Sequence, residues 1–116
     1  MQFQEFMEDQ AFSPALIADA LRTTRSEIAG TLGLGKDVFS RASRIRARKT
    51  QTRLRQMMEI LNRVEAATGS PLAAYAWFRA EPLSGFGGAT PNQLVREGRA
   101  DHVHAYLDRV MAGGYA

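Results

Sequence analysis

The chain has 116 residues, of which 45% are hydrophobic and 23% charged, with a formal net charge of +3 and no cysteine. That length supports one core, or two small ones sharing a helix. The lack of cysteine removes disulfides, thiolate zinc sites and a cysteine nucleophile, and no apolar run approaches the roughly 20 residues of a membrane-spanning helix.

The opening, MQFQEFMEDQ, is acidic where a secretory signal is basic, so a cytoplasmic protein with no membrane partner is expected. Phe3, Phe6 and Met7 form the apolar edge of a short N-terminal helix or arm, residues 1–11. Ser13 followed by Pro14 is a helix start: a hydroxyl to cap, then a proline at the first helical position, where its missing N–H costs nothing. Leu16, Ile17, Ala20 and Leu21 make that helix amphipathic. Thr24 and Glu27 read as a capping box opening a second helix that ends at Gly33. After a turn at Leu34 and Gly35, a third helix is predicted over 36–44, with Val38, Phe39 and Ala42 inward and Lys36, Ser40, Arg41, Ser43 and Arg44 outward.

Two short helices around a glycine-containing turn, the second basic outside, form a helix-turn-helix pattern, here assigned to residues 12–60. The charge map agrees. Residues 1–35 carry a net −3, residues 36–55 a net +7, and the remainder a net −1. Excess positive charge in one segment marks a polyanion partner. Ser40, Arg41 and Ser43 are the candidates for base edges, Arg44, Arg46, Arg48 and Lys49 for phosphates, and Lys36 is a further expected DNA-binding residue.

A long helix is expected from about Thr50 to Thr68, ended by Gly69, as the connector to a C-terminal unit at residues 61–116. Ser70 and Pro71 open the next helix, which stops before Pro82. Thr90 and Pro91 open a short one carrying Leu94 and Val95. A last helix from about Asp101 to Ala112 places Val103, Tyr106, Leu107, Val110 and Met111 on one face. The fold class is therefore all-α, an N-terminal helix-turn-helix unit joined by a long helix to a small helical C-terminal domain. No catalytic triad, metal-ligand cluster, phosphate loop or dinucleotide fingerprint is present, so no catalytic residue, cofactor or metal is assigned.

Trp77, Pro82, Gly88, Thr90, Pro91, Leu94, Gly98, Val103, Leu107, Gly114 and Tyr115 fall in an order that resembles the toxin-binding domain of Xre/MbcA/ParS-type antitoxins. Phe78, where an aliphatic residue is usual, and the crowded SGFGG at residues 84–88 depart from that pattern. RSEIAGTLGLGKDVFSRASR also looks like the Xre-type helix-turn-helix that precedes this domain. The resemblance implies a non-enzymatic antitoxin of a type II toxin–antitoxin pair. Its partners would be a RES-domain toxin that consumes NAD, operator DNA and a second copy of itself in a homodimer, and it would repress its own operon. NAD would be the toxin's substrate, not this chain's ligand. Arg99, Gly113, Gly114 and Tyr115 are the expected toxin contacts. The alternative is a stand-alone helix-turn-helix transcriptional regulator whose C-terminal domain serves dimerisation.

Overall fold

A computed structural model describes residues 1–35 and 37–113. The architecture is all-α, with seven α-helices among the described residues and one minimal hairpin near the N-terminus. A 3-10 turn at Phe3–Phe6 leads into β1 (Met7–Glu8) and β2 (Ala11–Phe12), paired antiparallel with Met7 opposite Phe12 and Glu8 opposite Ala11. Of the short helix or arm expected here, Phe3 and Phe6 fall in the 3-10 turn, while Met7 belongs to the hairpin. Phe6 and Phe12 bury while the tip, Asp9 and Gln10, turns with φ of 50° and 66°. Two positive φ values in a two-residue loop match the right-handed twist of the strands.

Helix α1 (Pro14–Ala20) begins where expected, the Ser13 hydroxyl accepting from the Leu16 N–H at 3.2 Å. Helix α2 (Arg25–Thr31) is capped by Thr24, whose hydroxyl accepts from the Glu27 N–H at 3.1 Å. The reciprocal half of the capping box is diverted. The Glu27 carboxylate accepts from the Thr23 hydroxyl and from Arg79, a charged partner that outcompetes a neutral backbone N–H. At the far end of α2, Gly33 N–H reaches Gly30 C=O at 3.1 Å and Leu34 N–H reaches Ala29 C=O at 2.8 Å, with Gly33 at φ +66°. This is a Schellman closure, and it needs a left-handed residue.

The continuous helix predicted over 36–44 does not form. Residues 37–41 are turn and bend, and a four-residue helix, α3 (Ala42–Ile45), follows. Lys36 lies outside the described residues. The physical cause is a shortage of apolar surface: Phe39 is buried and Val38 half-buried, but Ala42, expected inward, is exposed. A short helix is held mainly by what its apolar face packs against, and one phenylalanine is not a face. The Ser40 hydroxyl, which donates to the Asp37 carbonyl at 2.6 Å, further favours a local turn.

Helix α4 (Arg48–Thr68) is the spine. Thr50, Leu54, Met57, Met58, Ile60, Leu61 and Val64 are buried along it, and α5 (Pro71–Ala80) folds back antiparallel after Gly69. On α5, Phe78 is fully buried and Trp77 is partly buried at the edge of the core. The segment between α5 and α6 (Pro91–Arg96) buries Leu83, whose N–H reaches Ala89 C=O at 2.9 Å. The SGFGG run explains itself here. Gly85, Gly87 and Gly88 all have positive φ, and only a chain free of Cβ closes so tight a loop cheaply. Helix α7 (Ala100–Gly113) buries Val103 and Leu107 and half-buries Tyr106 and Met111, whereas Val110, expected on that face, is 48% exposed. Buried residues from Phe6 to Leu107 form one cluster.

Candidate functional site

Two surfaces concentrate the residues singled out by sequence. The first is the basic stretch through α3 and the start of α4. Ser40, Arg41, Ser43, Arg44, Arg48 and Lys49 are all exposed there, as is Arg55 two turns into α4. Among the described residues Arg44 reaches only the Asp37 carbonyl, at 3.5 Å. Arg46 is turned toward the hairpin tip, its guanidinium 3.0 Å from the Asp9 carbonyl and 3.9 Å from the Asp9 carboxylate. It remains half exposed, so this tie still leaves it accessible.

Arg53, although part of the same run, has a structural task. One of its terminal nitrogens donates to the carbonyls of Leu32, at 2.9 Å, and Gly33, at 3.1 Å, while the other donates to Arg96 C=O at 3.0 Å. A single guanidinium thus satisfies the free carbonyl ends of both α2 and α6, where a cation is also favoured by the helix dipoles. No local sequence signal announces this. The three acceptors lie 20 to 43 residues away in the chain.

The second surface belongs to the C-terminal helices. The Thr90 N–H donates to Gln93 Oε1 at 3.0 Å, and the Thr90 hydroxyl donates to Asn92 Oδ1. Asn92, nearly buried, passes the connection on by donating to Thr31 C=O at 3.1 Å. Thr31 in turn shares a 3.0 Å hydroxyl contact with Tyr75, the Arg79 guanidinium lies 4.5 Å from the Tyr75 ring centroid, and Arg79 pairs with Glu27. This seam from Thr90 to Glu27 locks α6 and α5 onto α2. Burial pushes the Tyr75 phenol above its usual value, against the opposing pull of the Thr31 hydrogen bond and the Arg79 charge. Sequence reasoning missed Asn92, Thr31 and Tyr75 as a unit, because each alone looks like an ordinary helix residue.

Arg63 fastens α7 to α4, donating to Asp108 at 2.8 Å and to His104 C=O at 3.2 Å. Phe86 meets His102 edge-on, with ring centroids 5.7 Å apart. Arg99, an expected partner contact, is exposed just before α7, paired with Glu97 at 3.3 Å and 3.3 Å from His102 Nδ1. Gly113 is the last residue of α7; Gly114 and Tyr115 lie outside the described residues. Among the described residues no group of three metal-ligating side chains comes together, and no helix is long and apolar enough to cross a membrane.

The expected base-reading and phosphate-contacting side chains from Ser40 to Lys49 therefore share one exposed stretch, but not one helix. Arg99 lies apart from them, beyond α6. Neither the curated proteins nor the solved structures searched contain a match to the chain. The family model that does match is the antitoxin Xre/MbcA/ParS C-terminal toxin-binding domain, over residues 63–113. That span is slightly less than half the chain and takes in the end of α4 and all of α5, α6 and α7, so this helical segment is similar to an antitoxin's toxin-binding domain.

Proposed function

We propose that the protein is the non-enzymatic antitoxin of a type II toxin–antitoxin pair, acting in the cytoplasm. The single observation that carries this reading is the family match over residues 63–113. The packing supports it, because Arg53 ties α6 to α4 and Asn92 ties it to α2, so that part of the matched segment is built into the fold. The toxin is a RES-domain protein that consumes NAD, neutralised when the C-terminal end of α7 and the residues after it cover its NAD cleft. Arg99, Gly113, Gly114 and Tyr115 make that contact. A homodimer represses the operon through Lys36, Ser40, Arg41, Ser43, Arg44, Arg46, Arg48 and Lys49 on DNA. Functionally the chain divides into an arm at 1–11, a DNA-facing unit at 12–60 and a toxin-binding unit at 61–116.

Co-expression tests the reading. The protein should co-purify with the product of the adjacent gene and restore the growth that this product abolishes. A chain that binds upstream DNA while doing neither is a stand-alone regulator, and the antitoxin reading then fails.

A further inference from the structure

The missing helix over 36–44 changes what the basic surface can do. A protein reads bases directly when a continuous helix or a ribbon enters the major groove, roughly 12 Å wide, and aims side chains at base edges. Here the segment offers turns and then α3, a single turn about 6 Å long. The Ser40 hydroxyl, one of the three candidates for a base edge, is committed to the Asp37 carbonyl.

Beside the exposed Ser43, what remains on this surface is mainly charge. Among the described residues Arg41, Arg48, Lys49 and Arg55 form no ion pair, and Arg44 touches only a carbonyl. Arg48, Thr52 and Arg55 follow i, i+4, i+7 spacing on the outer side of α4, and the face turns acidic one turn later at Glu59. The cations are thus confined to α3 and the first two turns of α4, over about 10 Å of helix. Double-stranded nucleic acid presents one charge per ~1.7 Å of axis, so such a length faces several phosphates.

We propose that Arg41, Arg44, Arg48, Lys49 and Arg55 grip the phosphate backbone of duplex nucleic acid without choosing its sequence. This rests on the DNA contact in the function proposed above and departs from it in one respect: this surface by itself supplies no operator choice. Nucleic acid is favoured over an anionic membrane because a surface-lying helix carries large apolar side chains beside its cations. Among the described residues the exposed large hydrophobic ones are Leu16, Leu72 and Val110, none of them in this segment.

The test uses the full-length protein and fluorescence anisotropy on labelled duplexes: two of unrelated sequence and one from upstream of its own gene. All three should bind within a few-fold of one another. Per bound chain, the slope of log K against log salt should be about −4 to −5, five contacts at about 0.9 each, so that each chain's contribution to affinity falls several hundredfold between roughly 50 and 200 mM. Arg48→Gln with Arg55→Gln should reduce the slope by about 2 on every duplex. The thermal midpoint should stay unchanged, and Arg41→Gln with Arg44→Gln serves as an independent second variant. Binding the upstream duplex more than about a hundredfold tighter than the others would overturn this inference while upholding the repressor. Preference for phosphatidylglycerol vesicles over duplex, a flat salt dependence or no binding would overturn it together with the DNA half of the function. Co-purification with the neighbouring gene product reports on toxin neutralisation separately from all of these.

Discussion

The hydroxyls of Thr31 on α2 and Tyr75 on α5 lie 3.0 Å apart in a buried contact, at the junction between the basic N-terminal half and the segment that matches the toxin-binding domain. Tyr75 is only 2% exposed, so neither hydroxyl has ready access to water as a substitute. Tyr75→Phe should cost about 1 kcal/mol and Thr31→Val about the same. A double-mutant cycle by chemical denaturation should return a coupling of about 1 kcal/mol, since the second change removes a partner already lost. A coupling near zero would mean that the contact adds nothing to the junction.

The same phenol predicts a pH effect. Burial raises its folded-state pKa above the ordinary value of 10.0, so the folded protein holds the proton more tightly than the unfolded chain does. The stabilisation is fully present below about pH 10 and is lost as pH rises through the folded value. Denaturation midpoints measured across that range should therefore fall more steeply for the wild type than for Tyr75→Phe.

Arg53 and Arg48 sit five residues apart in one basic run yet should behave as opposites. Arg53→Ala strands the carbonyl ends of α2 and α6 together and should cost about 1.5–3 kcal/mol, the range for hydrogen bonds to a charged group. Arg48→Ala removes an exposed side chain that forms no ion pair among the described residues and should stay within about 0.5 kcal/mol. Thermal melts of the two variants decide it. Equal losses would show that Arg53 is not the clamp.

At the hairpin tip, Gln10 holds φ +66°, a conformation that suits glycine and strains a glutamine. Gln10→Gly should raise stability by about 0.5–1 kcal/mol, the relief of strain outweighing the added freedom of the unfolded chain. Arg22, left-handed at the end of α1 in the position that Gly33 takes after α2, invites the same change. Both are read by the shift in denaturation midpoint.

What the sequence made legible follows from which forces are local. Ser13–Pro14, Ser70–Pro71 and Thr90–Pro91 each announce a helix start through a hydroxyl and a ring, Thr24 does so through its hydroxyl alone, and four helices begin there. The face of α7 was readable from spacing, apart from Val110. The segment over 36–44 was not, because its helical spacing has only Phe39 to bury, and a pattern does not reveal whether a surface exists to receive it. Arg53 and Asn92 were illegible for the opposite reason. Their partners lie far along the chain and are backbone carbonyls, which carry no side-chain signature. The Thr24 capping box failed on the same ground: Arg79, 52 residues away, takes the Glu27 carboxylate that the local motif would have used.

The last prediction separates stability from neutralisation. The buried side chains of α7 end at Leu107, with Met111 half-buried, and Arg63 holds the helix through His104 and Asp108. Removing residues 113–116 cuts none of these contacts, so the truncated chain should melt within about 0.5 kcal/mol of the full one. If Gly113, Gly114 and Tyr115 occupy the toxin's cleft as proposed, the same truncation should abolish growth rescue in co-expression while leaving the salt-dependent affinity for duplex DNA untouched. Tyr115→Ala should reproduce most of that loss, because an aromatic ring is the large contact in so short a stretch. Full rescue by the truncated chain would move the toxin contact away from the C-terminal end and onto the exposed faces of α5 to α7.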